Sequence, residues 1–64
     1  MRIKQNEIER RAAANQLNYK QLAFVAGVTE KTLHAARHGA AIRTDTAGRI
    51  AAALGVPIDE IIIK

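Results

Sequence analysis

Glu30, His34 and His38 fall at four-residue intervals, so on a helix they share one face. Two imidazoles and a carboxylate one turn apart are metal-ligand types at a metal-ligand spacing. A closed structural site needs a fourth ligand, and a hydrolytic one needs a glutamate between the histidines. Ala35, Ala36 and Arg37 stand between the histidines, and the chain has no cysteine. The sequence also lacks a phosphate-cradling glycine loop and any set of nucleophile, base and orienter placed together. The expectation is therefore a binding protein and not an enzyme, with neither metal nor cofactor.

Those residues lie in LNYKQLAFVAGVTEKTLHAARHG, Leu17 to Gly39, which reads as two short helices joined by one tight turn. The second helix displays Glu30, Lys31, His34 and His38, and the rest of the chain must hold it in place. Sixty-four residues without cysteine predict one domain, spanning 1–64, that rests on apolar packing near the lower size limit for folding without staples. The apolar residues are mostly Ala, Ile, Leu and Val, helix formers dominate and alternating strand patterns are scarce, which points to an all-α fold. No apolar run approaches the roughly 20 residues that span a bilayer. Met1 to Arg11 has no apolar centre of the signal-peptide kind, so a cytoplasmic protein without membrane contact is expected. The net charge is +4, and from Arg10 to Arg49 seven Lys or Arg stand against two acids. A basic middle with acidic ends suits a polyanionic partner.

In chain order, Met1 to Gln16 carries a helical pattern with a thin apolar stripe of Ile8, Ala12 and Ala13. Asn6 followed by Glu9 predicts a capping box. Met1 to Lys4 is expected as a flexible basic arm, and Arg10 and Arg11 as a solvated face. The second helix starts at Asn18, a good N-cap with Gln21 three residues on and a Leu17–Leu22 staple, and runs to Ala26. Gly27 supplies the left-handed turn. Thr29 caps the third helix, with Glu30 in its first turn, Leu33 and Ala36 facing the core, and Gly39 as its stop. After a loop in which Ile42 plugs the core, a fourth helix begins at Arg43 or Thr44. Its stripe is Ala47, Ile50, Ala51 and Leu54, and Gly55 ends it. Pro57 opens a predicted fifth short helix, with a Val56–Ile61 staple.

With Tyr19 as the first position of the two-helix unit, Ala23 is fifth, Gly27 ninth, Leu33 fifteenth and Ala36 eighteenth. This spacing resembles the helix-turn-helix of the Cro/C1-type (XRE family) phage repressors. The fifth position must be small where the helices cross, and the ninth must accept a positive φ. The last two pack the second helix onto the first. The likeness continues through the ALGV of Ala53 to Val56 and the acidic segment after it, and covers nearly the whole chain. It implies a compact five-helix bundle of lambda-repressor type. It also implies a regulator, expected to be a repressor, that places its third helix in the major groove of double-stranded DNA as a homodimer on a palindrome.

By the same resemblance, Thr29, Glu30, Lys31, His34 and Ala35 are the base-reading residues. Lys31 can donate to guanine O6 and N7, Glu30 can accept from cytosine N4, and Ala35 offers a small apolar contact to a thymine methyl. Asn18, Tyr19, Lys20, Thr32, His38, Arg43 and Thr44 are candidates for phosphate contacts. Tyr19 replaces the glutamine usual at its position. Family members often pair an arginine at the position of Ala12 with a glutamate at that of Arg37. Both are changed here, so this tie is expected to be absent and Arg37 free to face solvent or phosphate.

Two apolar sets are not needed by the monomer. Phe24 and Val25 stand where the family usually has charges, and Ile61, Ile62 and Ile63 are consecutive, so they cannot all face one core. The isoleucines are expected to help form a dimer. The same fold serves as the antitoxin half of toxin–antitoxin pairs, so a module that binds a protein partner through Phe24 is the alternative.

Overall fold

The computed structural model describes residues 1–63. The chain runs through β1 (Arg2–Ile3), α1 (Glu7–Ala14), α2 (Tyr19–Ala26), α3 (Glu30–Arg37), α4 (Thr44–Leu54), a 3-10 turn (Ile58–Glu60) and β2 (Ile62–Ile63). The molecule is mostly helical, but the expected all-α class and count of five helices are corrected to four α-helices and a two-stranded sheet among the described residues. Residues beyond Pro57 complete only one turn before Ile62 and Ile63 extend, as successive β-branched side chains favour.

The two-helix unit is built by its caps. Asn18 Oδ1 accepts from the Gln21 amide at 2.8 Å and the Asn18 amide donates to Gln21 Oε1 at 2.9 Å, a closed capping box. α2 ends at Gly27, whose φ of +74° lets the Val28 amide return to the Ala23 carbonyl at 3.0 Å. Two residues later Thr29 Oγ1 accepts from the Thr32 amide at 3.1 Å and starts α3. A turn this short fixes the angle between the helices. α2 lies at the centre of the bundle, in contact with α1, α3 and α4. Leu22, Leu33 and Ile50 are fully buried among them, and the half-buried Leu17, Val28 and Ile42 close the edges.

The N-terminal third departs from expectation. Asn6 takes a φ of +70° and its side chain caps nothing, so the predicted capping box is absent. Helix α1 is short, with Ile8 and Ala12 inside and Ala13 exposed. Buried Glu7 takes over at its start, accepting from Arg11 Nε at 2.9 Å and pairing with Arg10 as well. Arg10 stays largely in solvent as expected and Arg11 is half-buried, and both pair with this internal carboxylate. Hydrogen bonding to Arg11 holds that carboxyl below its ordinary range, against the opposing effect of burial.

The basic arm is tied down. Arg2 pairs with Ile63 and Ile3 with Ile62 in an antiparallel register. The Lys4 amide donates to the Ile61 carbonyl at 2.7 Å, and the Ile42 amide donates to the Met1 carbonyl at 2.7 Å. This strap joins the loop after α3 to the C-terminal segment and inserts Ile3, only 2% exposed, into the core. Burying that side chain offsets the entropy lost in ordering the segment.

Candidate nucleic-acid interface

Helix α3 divides cleanly. Leu33 and Ala36 are fully buried against the bundle, which turns Glu30, Lys31, His34, Arg37 and His38 outward and leaves Thr32 and Ala35 half-exposed. Glu30 and Lys31 stand in the first turn, and neither has an ion-pair partner among the described residues. The His34 and His38 rings meet edge to face with centroids 4.4 Å apart. Thr29 is placed differently from a free reader: its hydroxyl accepts from the Thr32 amide and donates to Thr32 Oγ1 at 2.9 Å. Both threonines therefore rigidify the N-terminus of α3 and have less to offer a ligand. No group of three His, Asp or Glu side chains among the described residues is arranged to hold a metal ion.

Most candidates for phosphate contact occupy helix starts around α3, and His38 its end. Asn18 spends its side-chain oxygen on the cap, and Lys20 is exposed with no ion-pair partner among the described residues. Arg43 and Thr44 open α4, where Arg43 Nε lies 3.4 Å from Asp45 while its side chain stays largely in solvent. His38 is exposed at the end of α3.

Arg37 is not free, contrary to expectation. Its Nε lies 3.3 Å from Glu9 Oε1, and its guanidinium carbon stands 5.5 Å from the centroid of the Tyr19 ring. The Tyr19 hydroxyl reaches the same carboxylate oxygen at 3.5 Å. Burial raises the Tyr19 phenol above its ordinary value, so it is a protonated donor at neutral pH. A link between α1 and α3 is thus rebuilt with its charges reversed: the acid is on α1 and the base on α3. The sequence pattern assigned Glu9 only to a capping box with Asn6, not to this contact. Its signal was available, because Glu9 stands three residues before Ala12 and so on the same side of α1.

The surfaces expected to meet a partner separate into two kinds. Ile61 and Ile62 are buried, 0% and 7% exposed, which corrects their assignment to a partner surface. The 3-10 turn rotates Ile61 inward and the strap covers Ile62, so among the three only Ile63 remains exposed. Phe24, 86% exposed, and Val25 rim a shallow apolar depression of about 450 Å³ with Leu17, Lys20 and Gln21.

A capped helix–turn–helix with the polar face of its second helix turned to solvent defines the class of protein. The model of the Cro/C1-type HTH DNA-binding domain family matches residues 7–63, and the chain belongs to that family. No curated protein and no solved structure matches it. No helix among the described residues is long and apolar enough to cross a membrane.

Proposed function

We propose that this protein is a sequence-specific transcriptional regulator, acting as a repressor, that inserts α3 into the major groove of duplex DNA. The observation that carries this reading is the split face of α3. Leu33 and Ala36 anchor it, while the unpaired Glu30 and Lys31 project from its capped N-terminal turn. Those two side chains have complementary base partners: guanine N7 and O6 for the ammonium, cytosine N4 for the carboxylate. His34 and Ala35 lie one turn further along the same helix and add a donor and a methyl-sized contact. Asn18, Lys20, His38, Arg43 and Thr44 sit at the element ends around it, where backbone contacts set register. The Cro/C1-type family membership supports DNA as the ligand. A two-fold dimer on half-sites about one DNA turn apart completes the reading, with the exposed Ile63 as the remaining aliphatic contact of the C-terminal segment.

Selection from a random duplex pool, followed by gel shift and measurement of complex mass, tests all parts together. A palindromic sequence bound by two protomers is expected, and Lys31→Ala should cost about 1–3 kcal/mol, a loss of roughly five- to 150-fold, against the selected duplex. Failure to enrich any duplex sinks the regulator. A single protomer on the enriched site removes the dimer alone. The exposed Phe24 favours one competitor, a module that binds a protein partner, and tight capture of a partner lost on Phe24→Ser, without duplex selection, would establish it.

A further inference from the structure

Glu9, Tyr19 and Arg37 belong to three different helices and meet at one atom. Arg37 Nε and the Tyr19 hydroxyl both address Glu9 Oε1, at 3.3 and 3.5 Å. The guanidinium is held near the phenol ring, 5.5 Å from its centroid, so the two donors form one unit. Two donors converging on a single anionic oxygen make an oxyanion receptor. The fit to the carboxylate is loose, since charge-assisted bonds in a settled pair run at about 2.7–2.9 Å. Nor is the pair sealed from solvent: the Arg37 side chain is 43% exposed and that of Glu9 34%. Exposed pairs of this kind contribute little to stability. Tyr19 is also the first residue of α2, flanked by the exposed Asn18 and Lys20, while the exposed His38 follows Arg37. The cluster is thus adjacent in the chain to residues that the DNA-binding reading places against the backbone.

We propose that Tyr19 and Arg37 form a clamp for one DNA phosphate, and that Glu9 occupies this clamp in the free protein as a built-in phosphate substitute. On DNA a phosphate oxygen takes the position of Glu9 Oε1, and Glu9 rotates into solvent. The exchange replaces one oxyanion by another, so the clamp stays neutralised in both states and its arginine is kept oriented until the backbone arrives. Glu9 thereby lowers affinity for every duplex by the same factor and leaves the preference among sequences untouched. The inference rests on the DNA-binding reading. It gives Glu9 a sign opposite to that of a plain helix tie, whose removal would loosen α3 and weaken binding.

Fluorescence anisotropy with a selected duplex and a shuffled one tests the clamp in the full chain, each variant being checked by thermal melting. Glu9→Gln should tighten both duplexes by a similar factor, about three-fold or more, and steepen the dependence of log K on log salt by up to about one unit. Arg37→Gln should weaken both, and adding Glu9→Gln in that background should yield no gain. Tyr19→Phe keeps the ring beside Arg37 and removes only the hydroxyl, so it should weaken both duplexes; it serves as the test should Glu9→Gln melt below the assay temperature. Binding that is unchanged by Glu9→Gln, or unaffected by Tyr19→Phe, overturns the clamp; binding weakened by Glu9→Gln overturns it and makes Glu9 a tie. Failure of the DNA reading looks different: the wild type itself would select no duplex and Lys31→Ala would change nothing.

Discussion

The recognition unit and the two chain ends are held by different kinds of bond. The ends of α2 and α3 are closed by contacts three to five residues apart in sequence, such as Asn18 with Gln21, Thr29 with Thr32 and Val28 with Ala23. The N-terminal strap instead reaches across the whole chain, Met1 to Ile42 and Arg2 to Ile63. Local caps define the shape of the reading head in almost any context. Distant pairing requires the rest of the fold to be present, and it supplies buried isoleucine that a domain this small cannot spare. The head is thus specified locally and stabilised remotely.

The sharpest way to break that contrast is to empty the strap. Ile3→Ala removes a side chain 2% exposed and leaves a cavity beside Ile61 and Ile62, at a cost of about 2–5 kcal/mol. Domains of this length have total stabilities of only about 3–10 kcal/mol, so much of the population should unfold. Urea titration followed by circular dichroism measures the loss. A decrease below about 1 kcal/mol would show that the strap merely rests on a self-sufficient bundle, and the contrast would disappear.

How far the sequence was legible follows the same division. Asn18, Gly27, Thr29, Leu33, Ala36 and the α4 stripe announced themselves because each signal is a fixed short spacing with one physical cause. Two-residue strands carry no period, so Ile3, Ile62 and Ile63 could not be read as a sheet and the basic start looked like a loose arm. Asn6 had the composition of a cap but its backbone went left-handed, and Glu7 did the work with side chains above it. At the site, the outward residues of α3 followed from the burial of Leu33 and Ala36. The Glu9–Tyr19–Arg37 meeting did not, because a three-helix contact is fixed by packing angle and not by spacing.

Glu7 sharpens the comparison at an intermediate scale, since it stabilises α1 by pairing with other side chains where Asn18 and Thr29 cap backbone amides of α2 and α3. Its folded carboxyl titrates below that of the unfolded chain, about 4.3 for glutamate. The stabilisation is therefore complete above that unfolded value and is lost as pH falls through the folded one. Glu7→Gln should cost about 1–2 kcal/mol at pH 7, towards the lower figure because Arg10 is largely exposed. The gap between variant and wild type should narrow as pH falls below the unfolded value. A cost that persists undiminished in acid would mean that shape, not charge, is what Glu7 provides.

The smallest expected effect concerns Phe24, and it separates stability from purpose within a single helix. Leu22 and Phe24 lie two residues apart on α2, the first fully buried and the second 86% exposed. A large apolar side chain in water adds nothing to the folded state, because it is equally solvated in the unfolded one. Phe24→Ser should therefore change stability by less than about 0.5 kcal/mol. It should also leave duplex selection intact, because α3 and the helix starts around it do not depend on this ring for packing. What it should alter is the capture of a protein partner at the depression beside Leu17 and Val25, while self-association assigned to the C-terminal segment, read by analytical ultracentrifugation, should persist. A Phe24→Ser variant that melts several degrees lower would place the ring in the core of the folded molecule in solution and would end its candidacy as a free surface.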